Sequence, residues 1–179
     1  MVGCLADKRI LKMEYKITFR NHFKSLEFLI YGSLLFAGLV YVLYKNEGYS
    51  TDLVQFFSVY YLVLLVPTLF IHIEYYLKNR NDILIIDTSE KTISINGQKP
   101  IFFSEIENIT YVMPPVWHRK GFIRLLPFED YHYAKIKMKN GEQFIFTCLM
   151  AYRVEDVLKQ ISGVPIEKRK LLFATTLIG

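Results

Sequence analysis

The feature that most limits what this chain can become is a pair of apolar segments separated by a short polar break. Residues 28–44 run for seventeen positions without a formal charge, and residues 53–73 for twenty-one. Between them lie only eight residues, 45–52, including Lys45, Glu47, Gly48 and Asp52. A helix that crosses the roughly 30 Å hydrocarbon core of a bilayer needs about 20 mostly apolar residues. The second segment meets that length outright. The first meets it when counted from Leu26, with Glu27 at the level of the headgroups. Two buried core helices of a soluble domain are the alternative, but these segments leave little polar face for water. The sequence therefore predicts a two-helix transmembrane hairpin over residues 26–77.

Charge flanks the hairpin unevenly. Lys8, Arg9, Lys12, Lys16, Arg20 and Lys24 precede it against Asp7 and Glu14, and Lys78 and Arg80 follow it. The connecting loop holds Lys45 against Glu47 and Asp52. Cytoplasmic flanks of membrane helices collect Lys and Arg. Both termini are therefore expected in the cytoplasm and the loop outside. Topology and anionic lipid account for the net charge of +5 without a nucleic-acid partner. The chain is 52% hydrophobic and 22% charged, with the charges mostly outside the hairpin: a membrane part with a polar part attached. Cys4 and Cys148 both fall on the cytoplasmic side, where a structural disulfide is not expected. No apolar run precedes Cys4, and the first one starts too late for a cleaved signal, so it is expected to stay as an anchor.

Within the hairpin, the first helix has Gly32, Ser33, Ala37 and Gly38. Ser33 and Ala37 form a small-xxx-small pair, which lets a neighbouring helix come close. Pro67 frees the carbonyl of Val63 and is expected to kink the second helix. It lies at about the depth of Gly32 and Ser33, so Gly32, Ser33, Ala37 and Pro67 are the expected packing seam. Tyr41, Tyr44 and Tyr49 suit an outer aromatic belt. His72 and Glu74 lie near the inner end, where headgroup solvation accounts for them.

The first 25 residues are basic, and residues 13–19 alternate apolar and polar side chains. That alternation predicts a short strand around residues 13–20, able to pair with the later domain or pack under the membrane. From Asn81 the pattern becomes that of short antiparallel strands: residues 83–87, 92–95, 100–103, 108–113, 131–139 and 142–149. Asn96-Gly97 and Asn140-Gly141 are hairpin turns between them. Val154, Val157, Leu158 and Ile161 space a helix over residues 152–161, stopped by Gly163 and Pro165. The expected architecture is a transmembrane helical hairpin followed by a small all-β barrel or sandwich with one C-terminal helix. The divisions are 1–25, 26–77, 81–163 and a tail, 164–179.

This order of elements resembles the bacterial pleckstrin-homology-like (PH-like) domains, and in particular the YcxB-like membrane proteins. The residues that carry the resemblance are the 83–87/92–95 hairpin with Asn96-Gly97 and the corner Phe103-Ser104-Glu105-Ile106. The Lys139-Asn140-Gly141 turn, residues 144–149 and the closing helix complete it. It implies a seven-stranded PH-like barrel behind two membrane spans and little about activity. PH domains of the phosphoinositide-binding kind hold phosphates with Lys and Arg between their first two strands. Taken as Thr88-Ser89-Glu90-Lys91, that loop has one base and one acid, so the motif does not carry over.

The surface segment best suited to binding is Trp117, Arg119, Lys120, Phe122 and Arg124. It joins the only Trp to three fixed cations. Aromatic residues settle at a bilayer interface and cations meet anionic headgroups. The same residue types also anchor protein interfaces, and a strand with core aromatics and solvated charges would share the composition. The tail places Glu167-Lys168-Arg169-Lys170 before Leu171-Leu172-Phe173-Ala174, too short to span but able to lie in an interface, pair with a partner or stay disordered.

His22, His72, His118 and His132 show no metal-ligand spacing, and no nucleotide or nucleophile motif is present. Glu129-Asp130 reads as a turn rather than an acid/base pair. No cofactor, metal or catalytic residue is expected. The expected role is a non-enzymatic membrane-anchored PH-like module whose partners are the lipid bilayer and a protein partner or another copy. The alternative is an effector or immunity-type protein whose hairpin oligomerises or captures a toxin.

Overall fold

A computed structural model describes residues 12–45, 51–118 and 126–177, with Trp117 and His118 described by their backbone only. The elements in order are β1 (Lys12–Lys16), α1 (Phe19–Lys45), α2 (Thr51–Asn79), β2 (Ile83–Asp87), β3 (Thr92–Ile95), β4 (Ile101–Phe102), β5 (Ile106–Met113), β6 (Tyr133–Met138), β7 (Gln143–Thr147), α3 (Val154–Leu158) and β8 (Ile166–Lys170). Short 3-10 turns sit at Phe103–Glu105, Pro115–His118 and Pro127–Asp130.

α1 has 27 residues and α2 has 29, so at 1.5 Å per residue each is roughly 40 Å long. Thr18 caps α1, its hydroxyl accepting the Asn21 N–H at 3.2 Å. Both helices run further inward than the apolar segments, so the expected boundary at 25/26 falls inside α1. Along α1 a covered stripe runs through His22, Ser25, Leu29, Ser33 and Phe36; along α2 one runs through Tyr61, Leu64, Thr68, Ile71, Tyr75 and Asn79. Steps of three and four put each set on one stripe. Most of each helix outside the stripe is open: of its most apolar eighteen residues, only 11% in α1 and 17% in α2 are buried. Both helices are long and apolar enough to cross a membrane.

The β part is two four-stranded sheets, ordered β1-β2-β3-β4 and β7-β6-β5-β8. β1 pairs antiparallel with β2, Lys12 opposite Asp87 and Lys16 opposite Ile83. The N-terminal alternation is therefore the first strand of the first sheet, and α1 and α2 are carried in the connection between neighbouring strands. Thr88-Ser89-Glu90-Lys91 joins β2 to β3 rather than the first two strands. At the next turn Asn96 (φ 54°) and Gly97 (φ 71°) are both left-handed, the geometry that the Asn-Gly pair favours. The core joins Leu84, Ile86 and Ile93 of the first sheet to Ile109, Ile136 and Phe146 of the second, all with no exposed surface.

Three expectations need correction. The sheets do not close into a barrel. β4 ends after two residues in the Phe103–Glu105 turn, so its ladder does not reach β5. On the other side Asn79 takes the place of a strand beside β7: its amide donates to the Ile145 carbonyl (2.7 Å) and its oxygen accepts the Thr147 N–H (3.2 Å). The closing helix is one short turn, Val154–Leu158, rather than ten residues, and Arg153 gives it no side-chain cap. Part of the tail is a strand. β8 runs parallel to β5, Ile166 opposite Ile109 and Lys170 opposite Met113, so not every strand is antiparallel.

Candidate functional site

The foot of the hairpin, where α1 and α2 enter the β part, gathers most of the buried polar side chains. Ile71 and Tyr75 of α2 belong to the core itself, Tyr75 with no exposed surface. Around them runs a set of specific ties. Nδ1 of His22 is hydrogen-bonded to Nε2 of His72 at 2.9 Å, and Nδ1 of His72 to the Tyr131 hydroxyl at 2.8 Å. Each group in this row can both donate and accept, so neutral imidazoles satisfy every link. The row fastens α1 to α2 and α2 to Tyr131, two residues before β6. On α1, the Asn21 amide donates to the Met150 carbonyl at 2.9 Å.

The tail closes the same end. Thr175 Oγ1 donates to Glu74 Oε2 at 2.7 Å, the Thr176 N–H donates to Glu74 Oε1 at 2.6 Å, and the Thr176 hydroxyl donates to that oxygen too. The Tyr75 hydroxyl donates to the Ala174 carbonyl. Phe173 packs on Phe128, ring centroids 4.7 Å apart. Glu74 is thus neither bare nor merely solvated; it holds the end of the chain against α2.

Burial dominates the electrostatics below the helices. It pushes the Cys148 thiol up to about 12 and raises the Tyr111, Tyr131 and Tyr133 phenols. Cys148 is free and has no exposed surface, with Ser25 Oγ 3.9 Å from its sulfur. A buried neutral thiol is a weak nucleophile. Glu129 accepts the N–H of Leu126 at 3.1 Å within its own turn. Among the described residues no three His, Cys, Asp or Glu side chains gather to hold a metal.

Higher on the hairpin, Ser33 donates to the Leu29 carbonyl at 2.7 Å and shares a hydrogen bond with the Tyr61 hydroxyl. Tyr61 stacks on Phe36, centroids 4.5 Å apart. Ser33 therefore lies in the helix–helix contact, whereas Ala37 is exposed. A Cβ on Gly32 would meet nothing within 4 Å; that residue lines an apolar crevice of about 250 Å³ with Phe28, Leu29, Leu64 and Pro127. Pro67 is half-buried inside a helix that continues past it. The contact is made by hydroxyls and rings more than by small residues.

Of the expected surface segment, Arg119, Lys120, Phe122 and Arg124 lie outside the described residues, and Trp117 is placed by its backbone in the Pro115–His118 turn. The residues on its far side are informative. Pro127 lines the crevice between α1 and α2, and Phe128 meets Phe173, so this chain segment ends against the hairpin.

The chain matches the model of a PH-domain family over residues 14–155, a span that takes in β1 from Glu14 and both helices. It belongs to that family. No curated protein and no solved structure matches it significantly. PH-like domains are generally non-catalytic and commonly bind lipids or proteins, which makes this chain a candidate lipid- or protein-binding module.

Proposed function

We propose that this PH-like protein is a non-enzymatic module held against the cytoplasmic face of a bacterial inner membrane, in the manner of YcxB-like proteins. α1 and α2 span the bilayer, both termini are cytoplasmic, and the module binds the membrane surface or a protein partner there. One observation carries this reading: the helices expose apolar side chains everywhere outside the stripe along which they touch, yet the foot of α2 is part of the β core and that of α1 is hydrogen-bonded to it. A soluble protein would cover such helices, and a flexible tether would not share its core with the domain. The domain then sits at the headgroups with no linker. Trp117, Arg119, Lys120, Phe122 and Arg124 are its proposed contact, because the segment holding them returns to the hairpin at Pro127.

The test is topology. In a chain carrying Cys4→Ser, a Tyr49→Cys thiol should react with an impermeant maleimide added outside intact cells. A Glu107→Cys thiol should react only after the cells are opened, and alkaline carbonate should leave the protein in the membrane fraction. Release by carbonate, or labelling of both sites from one side, rules the reading out.

A further inference from the structure

We infer that the C-terminal strap, through Leu172, Phe173 and Leu177 with Arg169 and Lys170, is a second membrane contact that lies on an anionic phospholipid surface beside α2. The inference rests on the membrane-spanning reading above and deepens it.

Height comes first. Glu74 stands one residue beyond the uncharged stretch of α2, where a spanning helix leaves hydrocarbon. Three donors from Thr175 and Thr176 converge on its carboxylate, and Tyr75 holds the Ala174 carbonyl. The strap cannot slide along α2 without breaking them. Phe70 and Leu77 share the stripe of Glu74 by helical spacing, and they are 54% and 56% exposed. The strap therefore lies at the lower edge of the apolar surface that α2 presents.

Composition comes second. Ala174 and Thr175 are buried, yet Leu172, Phe173 and Leu177 on either side are 53%, 42% and 71% exposed. Large apolar side chains held outward by a fastened backbone have no gain in water. Immediately before them β8 is exposed at every position. Lys168 pairs with Glu155 at 3.0 Å, whereas Arg169 and Lys170 make no ion pair among the described residues. Cations next to outward apolar groups, at the height where a helix leaves hydrocarbon, match the boundary between acyl chains and anionic headgroups. A protein partner could cover the same side chains, but it would not require this height or this continuity with the face of α2.

The experiment uses the full chain with Cys4→Ser, reconstituted into vesicles and carrying one nitroxide label at a time, at Leu177→Cys, Glu167→Cys or Val63→Cys. Accessibility to oxygen against a water-soluble nickel complex reads depth. In vesicles containing phosphatidylglycerol, the Leu177 label should favour oxygen and the Glu167 label nickel. Arg169→Glu with Lys170→Glu should move the Leu177 label toward nickel in those vesicles and leave it unchanged in pure phosphatidylcholine. A Val63 label in hydrocarbon with a Leu177 label as wet as Glu167 overturns this inference alone. A Val63 label in water overturns it together with the spanning reading. No response to the charge reversal overturns the headgroup assignment.

Discussion

The two ends of the hairpin are built on opposite rules. At the foot, Tyr75, Asn79, His72 and Ser25 are buried, and each has a named partner in the β part. Above it, Leu34, Leu35, Phe56 and Val63 are exposed and apolar, and the helices touch along one stripe. The upper part asks only for apolar side chains of adequate number, since its surroundings are non-directional. The foot asks for particular residues, because a buried donor or acceptor without its partner is costly. Substitutions should therefore be cheap above and expensive below.

The largest expected effect is at Tyr75. Tyr75→Ala removes a fully buried ring and the hydrogen bond to Ala174, and should cost about 4 kcal/mol. Thermal unfolding in detergent micelles reads it. Tyr60 is 55% exposed on the same helix, and Tyr60→Ala should stay within about 0.5 kcal/mol. Equal losses at the two tyrosines would erase the contrast.

Alkaline pH should separate foot from hairpin next. The Cys148 thiol, pushed up to about 12 from its ordinary 9.0, and the Tyr111 and Tyr131 phenols, above their ordinary 10.0, are raised chiefly by burial. The unfolded chain gives up these protons at 9.0 and 10.0 while the folded chain keeps them, so the unfolded state binds fewer protons in that range. Stability should be level below pH 9 and fall as pH rises through 9 to 12. Unfolding followed against pH checks the sign; a rise over that range contradicts it. The smallest effect is the seam. Ser33→Ala loses the bond to Tyr61 and should cost about 0.6 kcal/mol. Ala37→Leu, at an exposed position, should cost less than about 0.5 kcal/mol. The reverse order would favour a small-residue seam.

What could be read from the sequence follows the same division. The apolar runs, the alternation at Met13 to Tyr15 and the turns at Asn96-Gly97 and Asn140-Gly141 are local patterns, and local patterns survive without a structure. β8 carried no such pattern. Ile166, Glu167, Lys168, Arg169 and Lys170 are all exposed, and backbone pairing to β5 alone makes them a strand. The ties at the foot join His22 to His72 and Glu74 to Thr175 and Thr176 across long stretches of chain. No spacing rule relates such residues. The surface segment at Trp117 stands out by composition, and composition says nothing of which neighbour it faces.

The placement of α1 and α2 between β1 and β2 also sets an order of events. Lys12 cannot meet Asp87, nor Lys16 meet Ile83, until everything between them has been synthesised. In a free coil, joining strands so far apart would carry a large loop-closure entropy and slow the search. Here the two antiparallel helices bring Thr18 and Asn79 to the same end before either strand pairs, leaving only a few residues to close. The first sheet should therefore assemble after the helices have associated. A defect in the hairpin would then show as β1 left without its partner strand, even where every residue of the sheet is unchanged.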